Sequence, residues 1–548
     1  MPSPKPFVPI LENDPTLNSD SLRRRPPKRA SSAPRNSLFL LLTSDQWLIA
    51  FAVGMALALI LWPFYRQVSP WVGVALLVVG VTLCHLRYAA WFIVPFPHIA
   101  LLIAALQYVL AAWASAYWPA ADPMYDIGTR LPQYLRFATL VLLGCAAAWG
   151  LGLAKMRVPD RRPTVIPAPD LLFALDVLLV LGFLGVVPAR LTQGTSFGFV
   201  FILMANLRYV GVFGRMVLLA PGWGWRLALV VVVELVFSTG SGMFHGFILF
   251  GFWAFALGAY VFRISWRGLM AACFAALLLL PALQASKWEL RDNTWSEGTE
   301  GNVETRSALE KTTFWSSYML KNFKKTLTWD LDTDFLSGTV ARYNQGWIVN
   351  RVMQQVPSVE PYARGETLKD AFISVLVPRV FYPDKVITGG KVNMERFAGI
   401  TLTQETSMNL GYAGEMYANF GYWDGIIGCG CYCLFFALLF RAICIRAFVA
   451  PLWWAVLPYI VFVAFKAEDD IVGVVNWIAK ACVVMVAICF AFPAFRRALF
   501  PAKQRKRTAR KPLSEDNAVE SEATSRPDSN FARSGGNHPD AFRPRPRN

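Results

Sequence analysis

The sequence is short of charge. Only 16% of its 548 residues are Asp, Glu, Lys or Arg, where a soluble domain carries about a quarter. It lacks the short motifs of nucleotide- or zinc-driven chemistry: no GxxxxGKS or GxxxxGKT loop, no GxGxxG after a strand, no HExxH. Nucleotide-driven transport and zinc proteolysis therefore lose their usual support. Histidine is scarce, with four residues. There are nine cysteines, but none lies in the hydrophilic stretch 287–424, which therefore has no disulfide framework. Cys429, Cys431 and Cys433 alternate, a spacing that fits no usual metal site on a helix, and read as small packing residues. Residues 1–44 lack the short apolar core and cleavage site of a signal peptide.

What is present is apolar. The chain is 55% hydrophobic with mean hydropathy +0.40. Its apolar runs are continuous rather than alternating, which predicts an all-α polytopic membrane protein and disfavours a β-barrel. About twelve spans are expected, each long enough to cross a hydrocarbon core about 30 Å thick. They fall at 46–64, 71–90, 98–118, 134–154, 170–188, 198–219, 226–240, 243–262, 268–286, 425–441, 450–467 and 472–494. With the N-terminus inside, the basic loops at Lys155–Arg162, Arg263–Arg267 and Arg441–Arg446 all fall on the cytoplasmic side, and so does the C-terminus. Five regions follow: a basic tail (1–44), spans one to nine (45–286), a large outer loop (287–424), three further spans (425–494) and a second basic tail (495–548). The tails are Pro-, Ser- and Arg-rich and read as disordered, with their charge suited to anionic lipid. No aromatic residues interleave the Lys503–Lys511 run, so nucleic-acid binding is not expected.

The outer loop is too long for a simple connection and reads as a domain or lid of short amphipathic helices. Ser307–Thr328 and Gly338–Val356 have helical spacing, and Leu368–Val377 is apolar but too short to span. Arg342, Arg351, Arg364, Arg379 and Arg396, with Lys385 and Lys391, lie in this loop. Guanidinium offers phosphate a permanently charged, bidentate fork. The plain alternative for each is a solvated face with surface ion pairs; Arg379 stands out because it sits among apolar residues. Asp384 reads as a turn residue after Pro383. Glu415 is an ionisable group at the mouth of the bundle, suited to a general base, an arginine-orienting partner or a bundle salt bridge. Arg208 either pairs with Glu234 or faces a cavity and holds a lipid phosphate. His245, beside the polar turn Ser238–Gly242, is a candidate acid or base. Asp330, Asp332 and Asp334 have the charge for a divalent cation, but Phe335 stands where an EF-hand needs glycine; a solvated turn or helix cap is the reading taken, and no metal or other cofactor is expected.

Two motifs, Pro378-Arg379-x-Phe381-x-Pro383-Asp384-Lys385 and Gly414-Glu415-x-Tyr417-x-Asn419-Phe420-Gly421, resemble those of the oligosaccharide repeat-unit polymerases, the Wzy-type O-antigen and exopolysaccharide polymerases of bacterial inner membranes. The polar turn Ser238–Gly242 and Arg342 within Ala-Arg-Tyr-Asn are similar to weaker features of that family. The resemblance covers about 190–445; Val386 replaces a frequent second proline, and a glycine comes one residue late at Gly425. It implies transfer, at the outer face, of a glycan on undecaprenyl diphosphate onto one lipid-linked repeat unit. Arg379, Arg342 and Arg208 would hold the diphosphates, and Glu415 would act as base or orient an arginine. Arg351, Lys385, Asn419 and His245 would support substrate binding, and Tyr417, Trp347 and Tyr382 would stack on sugars. Partners would be the lipid-linked oligosaccharides, membrane lipids and a chain-length regulator. An O-antigen-type ligase and a lipid-linked oligosaccharide flippase are the rival readings.

Overall fold

The computed structural model describes residues 44–154, 156–159, 166–192, 198–241, 244–295, 308–376, 390–402 and 408–501. Among these there is no strand. The helices are α1 (Ser44–Ile60), α2 (Trp71–Ala89), α3 (Phe96–Ala114), α4 (Leu131–Leu153), α5 (Pro169–Leu191), α6 (Gly198–Val217), α7 (Trp223–Ser241), α8 (His245–Val261) and α9 (Trp266–Trp295). Then come α10 (Ala308–Leu327), α11 (Thr333–Tyr343), α12 (Gly346–Gln355), α13 (Glu366–Leu376) and α14 (Lys391–Ala398), followed by α15 (Gly411–Ala447), α16 (Trp453–Ile460), α17 (Ile471–Ala491) and α18 (Pro493–Leu499). Nine helices among the described residues are long and apolar enough to cross a membrane.

The expected spans coincide with helices except in two places. Residues 450–467 do not form one helix. α16 has 8 residues with Pro458 inside it, and a 3-10 turn follows at Phe462–Phe465. At 1.5 Å per residue α16 rises only about 12 Å, and the proline removes one of its ladder bonds. The second place is α15. The expected span starts at 425, but the helix starts at Gly411 and is broken at Gly421, where φ is 80° and ψ −156°. That backbone region is essentially closed to residues with a Cβ.

The break reverses the chain. Tyr412 and Tyr432 stack with ring centroids 5.2 Å apart, although in a straight helix they would be about 30 Å apart. A Cβ on Gly425 would come within 3.2 Å of the Met416 carbonyl oxygen. α15 is therefore a helical hairpin: a short arm, 411–420, lies antiparallel to a long arm, 422–447. The short arm is about 15 Å long and is buried from Gly411 to Asn419. It packs against α4 and α12.

Small residues bring other helices together, as expected where apolar surroundings leave van der Waals contact as the main attraction. α5 and α6 approach so closely that a Cβ on Gly182 would sit 2.3 Å from the Arg208 nitrogen. Around this bundle the loop helices form one end: α10 packs on α9 and α7, α12 on α14 and α15, and α13 along α17. The expected helices in Ser307–Thr328 and Gly338–Val356 are present as α10 to α12, and the apolar stretch after Leu368 is part of α13.

Candidate active site

The short arm of α15 is held by a latch of polar side chains. Glu415 is 0% exposed. One carboxylate oxygen accepts from the Thr367 hydroxyl at 2.7 Å, and the other from the Ile471 backbone N–H at 2.9 Å. Ile471 is the first residue of α17, so Glu415 satisfies a donor that the helix itself leaves open and lies at the positive end of its dipole. Among the described residues no cation pairs with Glu415. Neither a salt bridge nor an orienting role toward arginine is what the geometry provides, and the side chain lines neither described cavity. Asn419 donates to Thr367 Oγ1 and to the Glu415 carbonyl, each at 2.8 Å, and its Oδ1 accepts from Gly365 N at 2.9 Å. The N–H groups of Ala363 and Arg364 cap the carbonyls of Ala418 and Asn419 at the end of the arm. The motif Gly414–Gly421 thus builds a hairpin and fastens it.

Beneath the latch runs a turn that the sequence reading passed over, Lys466-Ala-Glu-Asp-Asp470. Lys466 pairs with Asp469 and lies 3.5 Å from Glu468. Asp470 caps α17 by accepting from Gly473 N at 2.9 Å. Burial pushes the Asp469 carboxyl up to about 6 against the pull of Lys466. The π-helical turn Ala105–Leu110 within α3 meets this group: Gln107 Nε2 donates to Glu468 at 3.4 Å, and Tyr108 donates to the Ala467 carbonyl. Five residues with four ionisable groups between two apolar runs were the signal.

A cavity of about 450 Å³ lies at the loop end. α9 contributes Gln284, Lys287 and Glu289, α10 Asn322 and Lys325, and α11 Asp334, Gly338 and Arg342. Asp332 starts α11 by accepting from Phe335 N at 2.7 Å and pairs with Lys325 at 3.1 Å. Those two contacts hold its carboxyl below the usual range, so the cap reading of the Asp330–Asp334 group holds for Asp332. Glu289 accepts from Lys321 and Asn322, and Asp122 from Met124 N. Of the carboxylate groups lining the cavity, that of Asp334 alone makes no hydrogen bond or ion pair among the described residues. It lies on α11 with Arg342, two turns apart.

The other site candidates are dispersed. Arg208 is 6% exposed. Its Nε is 2.8 Å from Glu234 Oε1, which also accepts from Tyr209 at 2.8 Å. Its guanidinium is therefore taken up within the bundle, the first of the two readings of Arg208. Arg351 on α12 is half-buried and makes no hydrogen bond or ion pair among the described residues. His245 starts α8, near the charges of Lys466 and Lys287. Trp347 is 2% exposed with its ring edge on Tyr125, so it offers no face to a sugar. Tyr417 is 8% exposed, against Phe137. Arg396 is paired with Glu360 and Glu366. Arg379, Tyr382, Asp384 and Lys385 lie outside the described residues.

A family described as a domain of unknown function (DUF8712) matches residues 232–449. The match takes in Glu234, the cavity helices α9 to α11, the latch and the hairpin, and leaves out Arg208. No curated protein and no solved structure matches the chain.

Proposed function

We propose that the protein is a membrane glycosyltransferase of the bacterial inner membrane. It would join oligosaccharide units carried on undecaprenyl diphosphate into a surface polysaccharide at the outer face. In this reading α1 to α9, the long arm of α15, the broken segment at α16 and α17 make about twelve crossings, with both termini cytoplasmic. The observation that carries it is the cavity at the loop end, where Lys287, Lys325 and Arg342 stand beside the carboxylates of Asp122, Glu289, Asp332 and Asp334. A departing diphosphate asks for fixed positive charge, and the attacking hydroxyl for a carboxylate; the cavity holds both.

The acceptor hydroxyl attacks the anomeric carbon of the donor glycan. The bond from that carbon to the diphosphate oxygen breaks, and the diphosphate leaves with its electron pair. Arg342, with Arg379 from the resembling motif, stabilises the charge that builds there. Asp334 takes the hydroxyl proton, the role for which Glu415 was the sequence-level candidate; Glu415 holds the hairpin instead. The test is a deletion strain complemented with variants, read as the length of its surface glycan. Arg342→Ala and Asp334→Asn should leave single exported repeat units. Absence of any exported unit would indicate a flippase, and full-length but unattached chains a ligase. Wild-type chain lengths in both variants would remove this cavity from the reaction.

A further inference from the structure

The loop-bearing end of the bundle carries a second set of cations, on residues that line no part of the Arg342 cavity. Arg130 ends the 3-10 turn Gly128–Arg130 that leads into α4, and Arg136 follows on α4 itself. Both are exposed, and neither makes an ion pair or a hydrogen bond among the described residues. The Arg136 guanidinium lies 5.8 Å from the Trp71 ring centroid. Its charge acts on Tyr422, whose hydroxyl is buried and has no hydrogen-bond partner among the described residues. The Phe137 ring bridges Tyr422 at 5.2 Å and Tyr417 at 5.4 Å. Tyr417, which is buried and hydrogen-bonds with Tyr362, also feels the charge of Arg130. Trp71, Arg136, Tyr422, Tyr417 and Arg130 therefore form one row around the apex of the α15 hairpin.

The chemistry of the row is one-sided. It has two cations without a counter-charge and a hydroxyl donor without an acceptor, so what fits it is a ligand with negative charge and several acceptor oxygens. The wall beside it is aromatic, and Trp423, next in sequence to Tyr422, is 61% exposed, so the ligand also brings an apolar part. Tryptophan and tyrosine with arginine at the ends of apolar helices suit the headgroup level of a bilayer. We infer that this row binds a lipid-borne phosphate at a site separate from the Arg342 cavity. The inference does not rest on the glycosyltransferase reading. The phosphate has two sources, an anionic bilayer lipid or a polyprenyl diphosphate.

The test uses the full chain in phosphatidylcholine nanodiscs, titrated with phosphatidylglycerol or with undecaprenyl diphosphate and read by native mass spectrometry. Losing both guanidinium groups in Arg130→Ala/Arg136→Ala should weaken retention of the bound lipid by roughly tenfold or more. Tyr422→Phe keeps the ring contacts and should weaken it about threefold. Arg267→Ala, at the far end of α9, should leave it unchanged. Tenfold preference for undecaprenyl diphosphate assigns the site to the lipid carrier, and equal retention assigns it to bilayer headgroups. Retention within about twofold of wild type in both site variants overturns the inference. So does an equal loss in Arg267→Ala, which would mean that net charge alone attracts the lipid.

Discussion

Glu234 and Glu415 are both carboxylates buried in apolar helices, and they are stabilised in opposite ways. Glu234 meets a guanidinium and a tyrosine hydroxyl, so its charge is cancelled by Arg208 on the neighbouring helix. Glu415 meets only neutral donors, a threonine hydroxyl and the first N–H of α17. The first arrangement ties two adjacent helices, α6 and α7. The second ties three elements far apart in the chain: the hairpin, α13 and α17. An ion pair is costly to halve because the survivor stays buried and charged. A carboxylate on neutral donors is cheaper to lose, because what remains is two unpaired dipoles. Neither glutamate reaches the cavity that carries Arg342.

The comparison can be broken most forcefully at Glu234. Glu234→Ala should cost about 3–5 kcal/mol by leaving Arg208 buried and alone. The double replacement Arg208→Met/Glu234→Leu should recover most of that in thermal unfolding in detergent. An unrecovered double variant would mean that shape rather than charge holds α6 to α7. Gly421→Ala comes next: it forces a Cβ into φ 80°, 3.0 Å from the Tyr362 hydroxyl, at about 1–3 kcal/mol of strain. Gly430→Ala is the control, since its nearest contact would be 3.8 Å away; equal losses at the two positions would refute the reversal as the cause.

Glu415 sharpens the contrast. Glu415→Ala should cost about 1–3 kcal/mol, and Glu415→Gln less, because one amide oxygen can still accept from Thr367. Folded Glu415→Gln should keep chain extension within a few-fold of wild type. A hundredfold or greater loss would restore the glutamate as a general base.

A pH-dependent effect concerns Asp469. Its pKa rises on folding from 3.8 to about 6, so its stabilising contribution is complete below the lower value and is lost as pH rises through the upper one. Over that window the unfolding midpoint of wild type should fall relative to that of Asp469→Asn. Parallel midpoints across the window would show that Lys466 already keeps the carboxylate ionised.

Much of the fold was legible because it is local. Apolar runs of spanning length, the Asp332 cap and the helical spacing of α10 to α12 depend on residues a few positions apart. The missed elements depend on distant partners. The segment before Gly421 reads as the end of the outer loop until Tyr412 is seen against Tyr432. Residues 450–467 are apolar enough for a span, yet Pro458 and the turn into Lys466 divide them. The site was less legible. Arg342 was picked out and does line the cavity, whereas Asp334 was set aside as part of a turn. Arg208 and Trp347 were candidates for substrate contacts, and the structure pairs the first with Glu234 and buries the second against Tyr125.

Composition and hydropathy by themselves determined an all-helical chain built for an apolar surrounding, because a backbone away from water must satisfy its own hydrogen bonds and a helix does so within a few residues. Only the tertiary structure decided which charges remain available. Arg208 is cancelled by a residue on the next helix, Glu415 is held by partners 48 and 56 positions away, and Arg130 and Arg136 are left without either. Electrostatic neutralisation acts through space, and the sequence does not list neighbours in space.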